Sequence, residues 1–247
     1  MTDTSSMAYD SSQYPAFAVT VDIAVFTMVS GQLNVLLVRR AGGPFAGSWA
    51  LPGGFKLPDE TLDQAALREL REETTVDGAS LLRQFGAYGD PGRDPRMNVV
   101  TVAYLAVVRD LVGVAAGSDA AEAALHPVHK VLKGRMPLAF DHRRIVHDAV
   151  ARIGHDMETT GLATAFVGPT FTLTDLREVF EAVWQVRLDG ANFRRKLSTA
   201  DGWVVPTGQR ASPGSEGGKP AELFKAGRAW KSGGPLRRSR SEKAESR

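Results

Sequence analysis

The chain has 247 residues, 43% of them hydrophobic, so it is long enough for one large domain or two smaller ones and has the composition of a globular protein. The absence of an apolar run of about 18 residues argues against a membrane-spanning helix, and the absence of cysteine excludes disulfides, thiolate metal sites and a cysteine nucleophile. Residues 1–173 carry 15 basic and 19 acidic side chains, whereas residues 174–247 carry 15 and 9. The two parts are therefore expected to meet different partners.

The first half of the chain predicts a mixed sheet with helices packed on it. Residues 1–15 lack the charged and apolar regions of a signal peptide, so we expect a disordered lead-in and a cytoplasmic location. Runs rich in β-forming residues predict strands at Ala16–Ser30, Gln32–Arg39, around Trp49–Leu51, Leu81–Phe85 and Val99–Arg109. Other local patterns predict a turn at Pro52-Gly53-Gly54, a short helical turn at Ala120–Leu125 and a helix at Arg143–Ile153.

Residues 54–76 carry the most specific pattern in the chain. Five residues separate Gly54 from Glu60, and seven more separate Glu60 from the run Arg68–Glu73. This spacing resembles the Nudix box, G-x5-E-x7-R-E-U-x-E-E-x-G-U, in which U is aliphatic. Thr75 stands where that family has its second glycine. The resemblance implies an α/β/α sandwich and metal-dependent chemistry on nucleoside diphosphate derivatives.

Three glutamates of this box are predicted to bind a metal ion. On a helix over residues 61–75, Glu69, Glu72 and Glu73 share one face, because residues three and four apart are neighbours there. Leu62, Ala66 and Leu70 recur at i, i+4 and i+8 and are expected to form a buried stripe behind these acids. Each close pair of like charges costs an isolated helix roughly 0.2–0.5 kcal/mol. A divalent cation removes that conflict, and Mg²⁺ prefers carboxylate oxygens together with phosphate. The alternative is a solvated acidic helix face, which the rest of the box disfavours.

The resemblance also bears on catalysis. In active members it implies a metal that orients a water molecule and a glutamate that acts as the base. Glu73 is the first candidate for that base, and Glu122, expected in a later loop, is the second. The family's second glycine closes the loop after the helix, and a β-branched residue at positive φ costs about 1 kcal/mol or more. Thr75 therefore leaves open whether this chain hydrolyses its ligand.

Residues 171–226 predict a winged helix-turn-helix. An apolar stripe at helical spacing predicts a first helix, Asp175–Trp184, capped by Thr172 or by Asp175 itself. The elements that follow are a break at Leu188–Gly190, a second helix at Ala191–Ser198, and strands at Trp203–Val205 and Glu222–Lys225 on either side of a flexible loop. Helix, tight turn, basic helix and hairpin follow one another in the order of that motif.

Basic and amide side chains of the second helix and the loop are the predicted DNA contacts. A helix-turn-helix places its second helix in the major groove, where arginine suits guanine and asparagine suits adenine. The candidates in that helix are Asn192, Arg194, Arg195 and Lys196. Arg210 and Lys219 in the loop are the candidates for contacts to phosphate or to the minor groove. The alternative is a basic helix end that is only solvated.

The chain from about Ala16 to Ala226 resembles the Nudix-related transcriptional regulators of NAD metabolism. The resemblance rests on GPFAGSWALPGGF before the box, GDPGRDPR after it, PLAFDHRRIVHDAV at 137–150, and then FTLTDLREVFEAVW, NFRRKL and KPAELFK. It implies a nucleotide-sensing Nudix domain at 16–155, a winged helix DNA-binding domain at 156–226 and a disordered basic tail at 227–247. It further implies homodimers that repress genes of NAD synthesis or salvage, with ADP-ribose or a related nucleotide as effector and no membrane partner.

A pocket for such a nucleotide needs cations and planar groups. Its predicted residues are Gly54 of the box together with Arg39, Arg40, Arg93 and Arg96 for the diphosphate. Phe45, Trp49 or Tyr104 is expected to stack on adenine, unless it belongs to the core. Asp141 and His142 are expected to cap the helix that follows them, and the histidine spacing gives no metal site.

Two functions from different classes therefore compete. The first is a DNA-binding repressor whose Nudix domain senses a nucleotide. The second is a Nudix pyrophosphatase, acting on ADP-ribose or a similar compound, whose C-terminal module serves dimerisation or substrate choice. Operator binding that weakens steeply with salt separates them, since each phosphate neutralised contributes about −0.9 to the log–log slope.

Overall fold

A computed structural model describes residues 10–74, 79–109, 111, 120–134, 136–212, 220–229 and 236–238. Within these residues, seven strands form one mixed sheet. They are β1 (Ala18–Val29), β2 (Gln32–Arg40), β3 (Trp49–Ala50), β4 (Gly53–Phe55), β5 (Leu81–Tyr88), β6 (Val99–Val107) and β7 (Ala120–Pro127). The order β3-β2-β1-β6-β5 forms the main path, with β4 added to β1 and β7 added to β2. No helix of this part of the chain is long and apolar enough to cross a membrane.

Helices cover both faces of the sheet. Their bounds are α1 (Leu62–Thr74), α2 (Val128–Leu132) and α3 (His142–Thr159). Ile23 and Val25 of β1 pack with α1 on one face, whereas Ala24 and Phe26 pack with α3 on the other, as the two-residue repeat of a strand requires. The expected α/β/α sandwich is therefore confirmed.

The helix of the box begins at a reciprocal cap. Thr61 Oγ1 accepts a hydrogen bond from the backbone N–H of Gln64 at 3.2 Å, and Gln64 Oε1 accepts one from the N–H of Thr61 at 2.8 Å. Ala66 and Leu70 are buried, which confirms the stripe that lies behind the acids. The helix thus has its apolar side fixed to the sheet and its glutamates on the remaining faces. Thr75 lies outside the described residues.

The prediction for Ala120–Leu125 was wrong. These residues form β7, which pairs antiparallel with β2 from Asn34↔Pro127 to Arg40↔Ala120. Alanine is the strongest helix former, but helix propensity is a weak preference that tertiary contacts override, and the open edge of β2 offers a continuous ladder of backbone hydrogen bonds. The turn expected at Pro52-Gly53-Gly54 likewise ends in a strand, since Gly53–Phe55 pairs with β1 as β4.

The second unit has the predicted order of elements. They are α4 (Leu173–Trp184), α5 (Gly190–Ser198), β8 (Val204–Arg210) and β9 (Glu222–Ala226), and β8 pairs antiparallel with β9. Thr172 caps α4 in a capping box with Asp175, and Asp189 caps α5 by accepting the N–H of Asn192 at 2.7 Å. This unit is the winged helix-turn-helix predicted from the sequence.

A single hydrophobic core joins the two units. It contains Leu33, Val35 and Leu37 of β2 together with Val179 and Phe180 of α4. The indole Nε1–H of Trp184 donates to the carbonyl of Gly154 in α3 at 3.2 Å, and Arg109 donates to the carbonyl of Val167 at 3.2 Å. The helix-turn-helix is therefore packed directly on the sheet and on α3.

Candidate functional site

A cavity of about 340 Å³ lies where β1, β2 and β4 meet the box helix. Its lining includes most of the candidate residues of the first domain: Arg39, Arg40, Gly54, Glu69, Glu73, Arg93 and Arg96. Glu72, Trp49 and Glu122 lie outside this lining. The fold thus gathers residues that are up to 57 positions apart in the chain into one small volume, with acidic and basic side chains both present.

The box helix contributes two glutamates, Glu69 and Glu73, to the cavity. Glu69 is buried, and Glu73 accepts the backbone N–H of Gly53 at 2.9 Å through Oε2. Burial raises the pKa of Glu73 to about 7, with a smaller contribution from the charge of Glu69, and burial also raises the pKa of Glu69. Two desolvated carboxylates facing one cavity favour a bound cation.

The two glycines before the helix leave space that a side chain would fill. A Cβ on Gly54 would lie 2.3 Å from Oε1 of Glu69, and a Cβ on Gly53 would lie 2.2 Å from the carbonyl oxygen of Val21. Both distances are far below contact, and the second involves backbone that cannot move aside. Glycine is therefore required at position 54 for a steric reason, because any side chain there would displace the Glu69 carboxylate from its place beside β4.

Arg68 organises the other acids of the box. Its guanidinium donates to Glu60 at 2.7 and 3.0 Å, to Glu69 at 2.7 Å and to Glu72 at 3.0 Å. The hydrogen bonds from Arg68 lower the pKa of Glu60 to about 2. Arg68 also bonds the carbonyl of Phe55 at 3.1 Å, so it ties the helix to β4. Glu60 and Arg68 are thus positioning residues of the box.

A metal ion fits this donor set in part. Glu69 and Glu73 offer hard oxygen ligands in the cavity, whereas Glu72 lies outside its lining, and Arg68 bonds both Glu69 and Glu72. Among the described residues, no group of three acidic or histidine side chains stands close enough to hold a metal ion. Two carboxylates completed by water and phosphate oxygens suit Mg²⁺, which dehydrates reluctantly and keeps several waters.

The four arginines predicted for the diphosphate differ in whether their guanidinium groups are already paired with carboxylates. Arg93 is nearly buried and donates to Asp141 at 2.7 Å and to Asp22 at 3.4 Å, so its charge is already neutralised. Arg96 forms two hydrogen bonds with Asp94, at 2.7 and 3.0 Å. Arg40 donates through Nε to the carbonyl of Pro44 at 2.9 Å and, within the described chain, has no carboxylate partner.

Arg39 and Glu122 face each other across β2 and β7. Their side chains are both half exposed and lie 3.6 Å apart. Glu122 was expected in a loop, but it lies on β7 opposite Arg39. Glu122 lies outside the cavity lining, so its position offers less to base catalysis than that of Glu73.

Asp22 and His142 complete the cavity, although the sequence did not single out Asp22 and assigned His142 only to a helix cap. The N–H of Leu51 donates to Nδ1 of His142 at 2.8 Å, so that nitrogen carries no proton, and Nε2 lies 3.4 Å from Asp22. Burial raises the pKa of Asp22, but His142 and Arg93 reverse this and lower it overall. A carboxylate inside the apolar run of β1 was the signal available for Asp22. Asp141 occupies the N-cap position of α3, as expected, but its side chain makes no capping hydrogen bond.

The aromatic candidates separate by burial. Tyr104 is fully buried and its hydroxyl donates to Asp63 at 2.5 Å, which confirms the core alternative for that residue. Trp49 packs edge-on against His126, with ring centroids 4.4 Å apart. Phe45 is 43% exposed but lies outside the lining of the cavity. The rings that do line it are Phe55 and Phe140, which the sequence did not single out.

The basic helix of the second unit presents its charges to solvent. Phe193 and Leu197 of α5 are buried, whereas the four candidates for DNA contacts on α5 are exposed: Asn192, Arg194, Arg195 and Lys196. Arg195 donates to the side chain of Asn192 at 2.8 Å. Arg210, also exposed, donates to the carbonyl of Pro220 at 3.1 Å, and Lys219 lies outside the described residues.

Comparison with known proteins places both units. Residues 17–149 match the NUDIX domain family, and residues 164–226 match the NrtR DNA-binding winged helix domain. The ADPR responsive transcriptional repressor NtrR of Acinetobacter baylyi is 34% identical over 221 residues, which are 88% of this chain and 85% of that protein. The chain belongs to the NrtR family. Its two units are therefore a Nudix domain followed by the winged helix of that family.

Two solved structures of NrtR from Shewanella oneidensis agree with this assignment. One is its complex with a 27mer DNA, which is 34% identical, covers 84% of this chain and 93% of its own, and has a TM-score of 0.70. The other is its NUDIX domain complexed with ADP ribose, which is 38% identical, covers 59% and 94%, and has a TM-score of 0.53. That relative thus forms a complex with DNA, and its NUDIX domain forms a complex with ADP ribose.

Proposed function

We propose that this chain is a transcriptional repressor of NAD metabolism genes whose Nudix cavity binds ADP-ribose or a related nucleotide. The observation that carries the proposal is the combination of a cavity containing Arg40, Arg96, Glu69 and Glu73 with an exposed basic helix α5 on one continuous core. The relatives that respond to ADP-ribose or bind DNA support it. The protein then acts where the DNA is, in the cytoplasm.

The division of labour follows the two units. Residues 16–155 sense the nucleotide, and residues 156–226 bind the operator, with the tail at 227–247 as an accessory basic segment. The DNA contacts are assigned to Asn192, Arg194, Arg195 and Lys196 in the major groove and to Arg210 and Lys219 on the wing. A homodimer suits this role, because helix-turn-helix proteins commonly read paired half-sites about one helical turn apart.

The diphosphate of the nucleotide is assigned to the cationic part of the cavity. Arg40 is the first choice because its charge is uncompensated, and Arg39 and Arg96 are next to it in the lining. Arg93 acts through Asp22 and Asp141 as a positioning residue. Mg²⁺ on Glu69 and Glu73, joined by Glu72 once it leaves Arg68, would supply further positive charge to the phosphates.

A titration of fluorescent promoter DNA tests the repressor proposal. The duplex comes from upstream of an NAD-synthesis operon, an unrelated duplex of equal length is the control, and binding is measured with and without ADP-ribose. Preference for the promoter that changes with ADP-ribose is the expected result. Equal, weak binding to both duplexes, with no response to the nucleotide, would reject the proposal.

Pyrophosphatase activity is a second candidate because Glu73 has the properties of a general base. Its carboxylate lies in the cavity, and burial raises its pKa to about 7, near the pH at which a base works best. The expected products of ADP-ribose are AMP and ribose 5-phosphate. Chromatography after incubation with Mg²⁺ tests this, and Glu73→Gln is the matched variant. Turnover that survives Glu73→Gln unchanged would exclude Glu73 as the base.

A further inference from the structure

Part of the basic tail packs against the body of the protein. Leu236 is 5% exposed and belongs to the hydrophobic core that contains α4. The backbone N–H of Arg238 donates to Oε1 of Glu158 at 3.3 Å, and its guanidinium donates through Nη2 to the carbonyl of Trp184 at 3.0 Å. Glu158 lies in the last turn of α3, and Trp184 is the last residue of α4. Arg238 therefore bridges the ends of these two helices.

The contact between Arg238 and Trp184 has a basis in helix chemistry. The last four carbonyls of a helix have no partner within it, and the carbonyl of Trp184 is one of these. The guanidinium of Arg238 supplies a donor to that carbonyl and brings positive charge to the negative end of the helix dipole. Arg238 thus stabilises α4 at the point where the chain leaves it.

The end of α4 determines how the chain enters α5. Gln185 follows Trp184 directly, its φ is 56°, and its N–H and that of Val186 both bond the carbonyl of Glu181. This left-handed residue turns the chain away from the helix axis, and residues 186–189 then lead into α5. The direction of α5 therefore depends on how the last turn of α4 is held.

We propose that Leu236 and Arg238 are positioning residues for operator binding, because they fix the end of α4 on α3 and so hold α5 in the orientation that reads DNA. This inference rests on the proposed function, since it concerns how that DNA-binding unit is held. Both residues lie beyond 164–226, the part of the chain that matches the winged helix domain. Base edges are read only by a correctly oriented helix, whereas non-specific binding is a sequence-independent attraction between basic side chains and phosphates. Loss of either residue should therefore weaken specific binding more than non-specific binding.

Arg237 provides a matched control, because it is exposed and carries the same charge in the same segment. Arg238→Ala and Arg237→Ala each remove one positive charge, so their effects on the general attraction to phosphate are equal. Fluorescence anisotropy of the full chain measures binding to the promoter duplex and to an unrelated duplex of equal length. Compared with Arg237→Ala, we expect Arg238→Ala to bind the promoter about tenfold more weakly and the unrelated duplex within about twofold.

Substitutions of Leu236 separate docking of the segment from its charge. Leu236→Ala removes a buried side chain and is expected to reduce the preference for the promoter, as Arg238→Ala does. Leu236→Met keeps an apolar side chain of similar volume and is expected to retain that preference. ADP-ribose affinity should stay within about threefold in every variant, because the cavity lies at the other end of α3.

The outcomes separate the two proposals. A wild type that binds both duplexes equally and weakly, with no response to ADP-ribose, rejects the proposed function. A wild type that prefers the promoter, with the preference unchanged in Arg238→Ala and Leu236→Ala, overturns the positioning role alone. Equal losses for both duplexes also overturn it, because the segment would then contribute only charge or general stability. If Leu236→Ala does not fold, Arg238→Ala carries the test against Arg237→Ala.

Discussion

Glu73 links the stability of the metal-free protein to pH. Burial raises its pKa from 4.5 to about 7, so between these values the folded state binds more protons than the unfolded state, and stability falls as pH rises. Glu73→Gln mimics the protonated form and retains an oxygen for the N–H of Gly53. We expect it to be more stable than the wild type by up to about 3 kcal/mol at pH 8 and by almost nothing at pH 4.5.

Urea unfolding in EDTA at the two pH values measures this difference. Glu122→Gln, which removes an exposed carboxylate outside the cavity, is the control. Adding Mg²⁺ should stabilise the wild type at pH 8 and reduce the difference in unfolding free energy between it and Glu73→Gln, because the cation takes the place of the proton on the Glu73 carboxylate. A Glu73→Gln variant no more stable than the wild type at pH 8 would contradict the raised pKa of this buried carboxylate.

Gly54 is the residue at which the box is most sensitive to added volume. In Gly54→Ala the Cβ would overlap Oε1 of Glu69, whose side chain can rotate away at small cost to folding. We expect a melting temperature within a few degrees of the wild type but Mg²⁺ affinity at least tenfold weaker, measured calorimetrically. Gly47→Ala is the control, because Gly47 has positive φ but open space around it. Unchanged Mg²⁺ binding in Gly54→Ala would remove Glu69 from the metal ligands.

At the scale of the element, the pattern of buried apolar and exposed basic residues in α5 indicates a DNA-contacting helix. Phe193 and Leu197 anchor α5 in the core, so we expect truncation of its exposed basic side chains to leave the stability of the fold nearly unchanged. In the double variant Arg194→Ala and Arg195→Ala we expect specific operator binding to be lost, ADP-ribose binding to be kept, and the salt slope to fall by about one per phosphate contact removed.

Fluorescence anisotropy over a series of salt concentrations measures that slope. Arg144→Ala on α3 removes an exposed arginine far from the helix-turn-helix in sequence and is the control. Simultaneous loss of DNA and ADP-ribose binding, with the fold preserved, would contradict two separately acting units. Unchanged operator affinity would move the recognition surface away from α5.

Helices with a clear apolar periodicity could be predicted from the sequence, whereas a strand whose formation depends on pairing with a neighbouring strand could not. The helix of the box and α4 were recognised from apolar stripes, and Thr172 from the cap it forms. β7 was missed because its alanine-rich sequence carries no strand pattern and its hydrogen bonds are supplied by β2. The arginines and glutamates of the cavity were predicted, but the place of His142 in it was not. His142 accepts the N–H of Leu51, 91 positions away in the chain, and no local sequence pattern encodes such a contact.

At the scale of the whole molecule, α3 and β2 each connect the cavity to the helix-turn-helix. His142 begins α3 in the cavity, and Gly154, three turns later, accepts the indole N–H of Trp184 on α4. Arg40 ends β2 in the cavity, while Leu33 at the other end packs in the core that contains α4. A ligand that shifts either element therefore moves the base of the DNA-binding unit, provided that it binds the two arrangements with different affinity.

Trp184→Phe tests this connection because it removes the hydrogen bond to Gly154 and keeps an aromatic ring against Phe180. We define coupling as the ratio of the operator dissociation constants with and without saturating ADP-ribose. We expect Trp184→Phe to reduce it at least threefold, with each single-ligand affinity within about threefold of the wild type. Trp203→Phe, a matched substitution inside the winged helix, is expected to preserve it. Linkage requires DNA to change the affinity for ADP-ribose by the same ratio. Full coupling in Trp184→Phe would exclude this contact and leave β2 as the connection to be tested.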